Sequence, residues 1–253
     1  MHGGPPSALL ARAIESFRPD GGSAPVLADR PFVARLTVEL LRPIPAHPLR
    51  IGIELTRPGK KVQLVQASLF GGADGSLEVA RAVGLRLRRQ SLSLPPEAQR
   101  ANAAADAAAR PPGRPGDGVP PSIRPGQERG FFAEAAELRF LSGGPMVPGP
   151  GMAWVRLLYP IVDDEEPTPF VRTAALADFG NAMGAILSGD QFAHPNADLT
   201  ISLHREPVGD WVCLDGVTRI GPDGIGLASC ALHDLVGPIG RTEQSLVVSD
   251  LRG

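Results

Sequence analysis

Ala34-Arg-Leu-Thr-Val-Glu-Leu-Leu-Arg-Pro43 returns later in the chain as Ala197-Asp-Leu-Thr-Ile-Ser-Leu-His-Arg-Glu206, with Ala, Leu, Thr, Leu and Arg at the same offsets. Downstream of each copy, Leu55-Thr-Arg-Pro-Gly59 answers Val217-Thr-Arg-Ile-Gly221, and upstream Ala8-Leu-Leu-Ala11 answers Ala174-Ala-Leu-Ala177. An internal repeat restricts the fold more than any single motif, because one unit must be built twice and the two units must bury a shared surface.

Each unit reads as one helix followed by a run of strands. In the first, a helix from Pro6 to Phe17 opens after Gly3-Gly4 with proline near its first turn. Alternating or β-branched runs follow at Phe32–Leu41, Leu49–Thr56, Lys61–Phe70 and Leu77–Leu87, separated by turn chemistry at Pro58-Gly59, Gly71-Gly72 and Asp74-Gly75. The second unit opens with strands at Glu137–Leu141 and Met152–Val162 and a helix from Thr168 to Leu187. Strands at Leu199–His204, Trp211–Arg219, Ile225–His233 and Ile239–Val248 complete it. One largely apolar helix with several antiparallel strands predicts an α+β unit whose sheet wraps the helix, and two such sheets can pair edge to edge. The boundaries are an N-terminal unit at 1–90, a linker at 91–129 and a C-terminal unit at 130–253. Pro95-Pro96, the alanines from Ala101 to Ala109 and the Pro/Gly-dense run Arg110–Pro121 make the middle segment a partly extended, mobile connection.

With 253 residues, 43% of them hydrophobic, the chain can build a real core, and a formal net charge of -2 leaves no field to hold nucleic acid or an anionic membrane. A small molecule is the expected partner. Cys213 and Cys230 have neither C-x-x-C nor Cys/His spacing and read as core residues. The N-terminus lacks a basic region followed by an apolar run, so a cytoplasmic address is expected by default. The longest apolar stretch, Pro169–Leu187, carries Arg172, Asp178 and Asn181 and reads as a buried helix, not a membrane span. No G-x-S-x-G elbow, Walker loop, H-E-x-x-H or dinucleotide fingerprint is present, which removes serine hydrolase, NTPase, zinc peptidase and Rossmann readings.

Asp178 is the strongest chemical signal. Residues four apart stack on one helix face, and its stack is Phe170, Ala174 and Ala182. A carboxylate buried there must be hydrogen-bonded, paired with Arg172 or Arg205, or protonated. That setting suits either a general base or a structural Asp.

The ordered set His2-Gly-Gly4, Leu40-Leu-Arg-Pro43, Ala177-Asp-Phe179, Leu203-His-Arg-Glu-Pro207 with Trp211, and Gly240-Arg-Thr-Glu-Gln244 resembles the acyl-CoA thioesterase II family and its thioesterase-like relatives. The resemblance implies a double hotdog, a thioester hydrolase with an acyl-CoA substrate, no metal or other cofactor, and further association of double-hotdog units into homo-oligomers. It also implies a water-holding trio at Asp178, Asn196 and Gln244, and oxyanion stabilisation by Gly3 or Gly4. The family's hydroxyl position falls on Asn196, while a hydroxyl stands four residues later at Thr200, so either is a candidate. The family has a strand upstream of His-Gly-Gly, whereas Met1 directly precedes His2. The first sheet is therefore expected to be one strand short, or the start truncated.

Carried across the repeat, Asp178 falls on Arg12, Asn196 on Val33 and Gln244 on Gly84, so the polar trio is absent from the first copy and one centre per chain is expected. Gly3-Gly4 ahead of a helix exposes backbone N–H groups at its positive end, which suits an oxyanion. His204 and Arg205 read as core or interface residues, with Arg205 and Arg219 in charge pairs or, as the alternative, on CoA phosphates. Trp154 and Trp211 read as core or tunnel lining. Two rival functions share the fold. A hotdog enoyl-CoA hydratase has a His five residues after its Asp, and Met183 stands there; a non-catalytic acyl-CoA-binding module would tolerate loss of the trio.

Overall fold

Apolar and polar residues alternate along the long strands, which gives a sheet with one face for helices. In the computed structural model, which describes residues 2–18, 31–72, 74–121, 131–144 and 147–252, the N-terminal unit holds α1 (Gly4–Ser16), β1 (Phe32–Leu40), β2 (Arg50–Arg57), β3 (Val62–Gly71) and β4 (Leu77–Leu87). Helix α2 (Pro96–Ala108) follows. The C-terminal unit holds α3 (Phe131–Glu134), β5 (Ala136–Gly144), β6 (Val147–Leu157), α4 (Pro169–Ala177), α5 (Gly180–Met183), β7 (Phe192–Ala193) and β8 (Asp198–Leu203). It ends with β9 (Val212–Ile220), β10 (Ile225–His233), β11 (Pro238–Val247) and β12 (Ser249–Asp250).

Ten strands make one antiparallel sheet in the order β2-β3-β4-β1-β8-β11-β10-β9-β6-β5, and β7 pairs separately with β12. The halves meet edge to edge at β1 and β8, where Thr37 lies opposite Thr200. These two residues hold the same place in the repeat, so a pseudo-two-fold axis passes between them, and Thr200 Oγ1 donates to Thr37 Oγ1 at 3.4 Å. On the inner face Leu36, Val38, Leu199 and Ile201 are each fully buried beneath the helices, each Leu or Ile contributing about 1.5–3 kcal/mol of hydrophobic stabilisation. Helices α1 and α4 pack on one another, with Ala8 of α1 in one buried cluster with Val171 and Ala175 of α4. Among the described residues the C-terminal unit has two strands, β5 and β6, before its helix, with no counterpart before α1. No helix among these residues is long and apolar enough to cross a membrane.

Two expectations need correction. The second-unit helix does not run unbroken from 168 to 187: the Phe179 N–H turns back to the Leu176 carbonyl at 3.1 Å, an i→i−3 bond that tightens the chain at Asp178 and separates α4 from α5. The helix then ends at Met183, and glycine is needed at the next position, where a Cβ on Gly184 would come within 2.6 Å of Val217 Cα on β9. The second concerns the middle segment, read as a partly extended, mobile connection, part of which is helical and part of which is bonded to the C-terminal sheet. Its alanine-rich part forms α2, as alanine's helix propensity favours, with no buried residue. Beyond it, residues 110–121 strap the C-terminal sheet: the Trp154 Nε1–H donates to the Gly113 carbonyl at 3.0 Å, and at the free edge of β5 Val119 exchanges two backbone hydrogen bonds with Phe140. The rest of the expected linker, 122–129, lies outside the described residues. Trp154 is 2% exposed beneath this strap, so it belongs to the core. Trp154→Phe, which removes the indole N–H together with part of the buried ring, is expected to cost about 1–3 kcal/mol and to speed hydrogen exchange at the Val119 amide, which bonds to Phe140; an unchanged exchange rate would show that the strap is held by other contacts.

Candidate active site

The helix pair sets the site. Because α1 and α4 pack around the pseudo-two-fold axis, the N-terminal end of α1 arrives at the C-terminal end of α4, where Asp178 caps the helix. A Cβ on Gly3 would lie 2.8 Å from both carboxylate oxygens of Asp178, so glycine is needed there for the chain to pass so close.

Asp178 is buried, its side chain 4% exposed, yet it lies on the wall of a cavity of about 540 Å³. Its carboxylate is well provided with donors, as a buried charge requires. Asn196 Nδ2 donates to Oδ1 at 3.0 Å, and Gln244 Nε2 to the same oxygen at 3.2 Å. His2 Nδ1 stands 2.8 Å from Oδ2. The same His2 nitrogen is 3.2 Å from the Gly4 N–H. One ring nitrogen cannot donate to the carboxylate and accept from the amide at once, so its proton decides which partner it serves. The shorter contact, to a carboxylate, favours the form in which Nδ1 carries the proton. The His2 ring sits against Phe131 and Phe179, with centroids 5.3 and 5.2 Å away.

The expected site residues separate in this frame. Asp178, Asn196 and Gly3 all line the cavity. Gln244, 1% exposed, reaches Asp178 from behind and is not part of the cavity wall. Gly4 seats α1 on α4, where a Cβ would come within 2.5 Å of the Ala175 carbonyl oxygen. Thr200 is not brought to Asp178. Its strand neighbours Leu199 and Ile201 point into the core, so its own side chain points to the outer face, towards Thr37. Asn196 therefore occupies the place where a hydroxyl was the alternative, and its amide makes the bond to the carboxylate. In the first copy Arg12 stands where Asp178 stands in the second, and its Nε donates to Glu165 at 2.7 Å.

His2, Asn181 and His194 are among the wall residues that carried no assigned role in the sequence. His2 was visible only as part of a glycine motif; its part emerges once the repeat is seen to bring α1 against α4. Asn181 and His194 face each other on the same wall, with Asn181 Nδ2 donating to the His194 carbonyl at 3.0 Å. Asn181 stands three residues after Asp178, so helical spacing alone could have placed it there. Cys213 and Cys230 are buried and free, and burial pushes both thiols up, Cys230 to about 12, so neither supplies a thiolate nucleophile. Among the described residues no group of His, Cys, Asp and Glu is arranged to hold a metal ion. Arg205 is engaged with Asp234 through two guanidinium hydrogen bonds, which makes it a structural charge pair.

Known proteins share the family and the fold of this chain. Residues 1–87 match the family described as the acyl-CoA thioesterase N-terminal domain, and residues 86–248 match the acyl-CoA thioesterase C-terminal domain. No curated protein sequence matches the chain. Among solved structures, a hot dog fold protein of unknown function from Alicyclobacillus acidocaldarius superposes with a TM-score of 0.71 at 16% identity, over 99% of this chain and 87% of that one. An acyl-CoA thioesterase II from Mycobacterium marinum superposes with a TM-score of 0.61 at 16% identity, over 99% and 91% of the two chains. A MaoC-like dehydratase shares the fold more loosely, with a TM-score of 0.53 at 15% identity over 96% and 83%. At such identities the structures speak for the fold, and the two family matches, which together span nearly the whole chain, speak for the family. The chain belongs to the acyl-CoA thioesterase family, as a double-hotdog thioesterase whose two halves are the family's N- and C-terminal domains.

Proposed function

We propose that the chain hydrolyses acyl-CoA thioesters by water activated at Asp178. The observation that carries this reading is a buried carboxylate on a cavity wall, held by two amide donors and an imidazole and lying directly against the start of a helix. With the thioester carbonyl in the cavity, Asp178 takes a proton from water as the water oxygen bonds to the carbonyl carbon. The oxyanion that develops is met by the Gly3 N–H at the positive end of α1; Pro5 and Pro6 have no N–H, so the glycine amides are the donors this helix start offers. The tetrahedral adduct then breaks its C–S bond, Asp178 returns the proton to the sulfur, and free acid and CoA thiol leave. Asn196 touches both the cavity and the carboxylate and so can hold the water as well as the base. Gln244, behind Asp178, is a positioning residue.

A panel of short, medium, long and aromatic acyl-CoAs, followed by thiol release, tests the reading: at least one class is turned over, and binding of every class without turnover would favour a non-catalytic module. His2→Ala is expected to lower kcat about ten- to a hundredfold, since it removes an orienting donor to the base. Full activity of that variant would show that the imidazole does not serve Asp178.

A further inference from the structure

In each unit one helix residue sits over one strand residue, and the two units distribute bulk between them in opposite ways. The match of Ala8–Ala11 to Ala174–Ala177 places Ile14 of α1 in register with Gly180 of α5. Gly84 of β4 lies opposite Leu36. In the second unit Glu243 lies opposite Thr200, so the next residue, Gln244, comes opposite Leu199, the repeat counterpart of Leu36. The N-terminal unit thus puts isoleucine on the helix over glycine on the strand, and a Cβ on Gly84 would collide with Ile14 Cγ2. The C-terminal unit puts glycine on the helix over glutamine on the strand, and a Cβ on Gly180 would lie 3.0 Å from Gln244 Oε1 and 3.0 Å from Cys230 Sγ.

A helix side chain and a strand amide therefore compete for one volume. The backbone gives no reason for glycine at 180, which is absent from the glycines with positive φ. Within a helix, glycine is a poorer choice than alanine on conformational grounds. Space for the amide is the reason that remains. We infer that Gly180 is a positioning residue of the centre: having no side chain, it leaves the volume in which the Gln244 amide lies with Nε2 directed at Asp178. This rests on the reading of Asp178 as the base. It also accounts sterically for a single centre per chain, since Ile14 fills the corresponding volume in the first copy.

Gly180→Ala forces the amide or the Cys230 sulfur to yield by a few tenths of an ångström. It is expected to lower kcat about tenfold with KM changed by less than about twofold, because Gln244 acts behind the carboxylate and not on bound substrate. In a Gln244→Ala background the same substitution should change kcat by less than about twofold, since the coupling runs through the amide. Equal losses in the two backgrounds would overturn the inference and make Gly180 a packing residue. A readout that needs no turnover is the Gln244 side-chain amide resonance in a 15N-labelled sample, identified by its disappearance in Gln244→Ala. It should move in Gly180→Ala, and an unmoved resonance also overturns the inference. Absence of hydrolysis by the unaltered protein would instead overturn the functional reading, leaving the amide shift to decide the placement of Gln244.

Discussion

Asp178→Asn is expected to reduce thioester hydrolysis by about a hundred- to ten-thousandfold, the range over which a positioned general base contributes, while the protein stays folded. The substitution keeps shape and volume. The Asn carbonyl oxygen can still accept from Asn196 and Gln244, which now meet at Oδ1, and the new amide N–H can donate to His2 Nδ1 once that nitrogen gives up its proton. What disappears is the basic oxygen facing the cavity. Steady-state thiol release with a melting curve on the same sample separates the two effects. Hydrolysis at the unaltered rate would remove Asp178 from the chemistry; lost activity with a collapsed melting transition would show that its burial mattered more than its basicity.

Asp234→Ala is expected to cost about 3–5 kcal/mol of folding stability, the range for breaking one partner out of a buried pair. The Asp234 side chain is fully buried. It accepts from Arg205 Nη1 at 2.6 Å and Nη2 at 2.7 Å, and from the backbone N–H groups of Val208, Val236 and Gly237 at 2.9, 2.8 and 3.0 Å. Burial pushes its carboxyl up, but the Arg205 hydrogen bond and the three amides outweigh burial and hold it below the ordinary value of 3.8. A group lowered in this way contributes stability that is present above its unfolded value and is lost as pH falls through its folded value. Denaturant unfolding at pH 7 should therefore show the full deficit of the variant, and the deficit should narrow on acidification below about pH 4. A deficit that stays constant down to pH 3 would mean that packing, not the charge, is what the variant lost.

Most of the long strands were legible from apolar runs, and β4 and β10 coincide end for end with the runs read at Leu77–Leu87 and Ile225–His233, whereas β6 lies five residues before the run read at Met152–Val162 and the short β7 and β12 were not read. The edge-to-edge joint was legible from the repeat. Asp178 was legible because helical spacing set a carboxylate among Phe170, Ala174 and Ala182. Other features depend on tertiary contacts that no local pattern encodes. Thr200 looked like a candidate because of its nearness in sequence to Asn196; only the pairing of β1 with β8 shows that it meets Thr37 on the far side of the sheet. The break after Ala177 has no proline to announce it, since it arises where Asp178 meets Gln244 and His2. The strap over Trp154 was hidden because Pro/Gly density describes a segment without regular structure equally well whether it is docked or free.

The joint between the halves has a consequence for the chain as a covalent object. The halves are held by the β1–β8 ladder and the α1–α4 packing, whereas α2, between them, has no buried residue. The peptide connection there acts mainly by raising the effective concentration of one half near the other. A chain severed within α2 should consequently persist as a noncovalent heterodimer, and the two pieces, expressed separately, make a split-protein pair in which neither piece alone holds both Gly3 and Asp178.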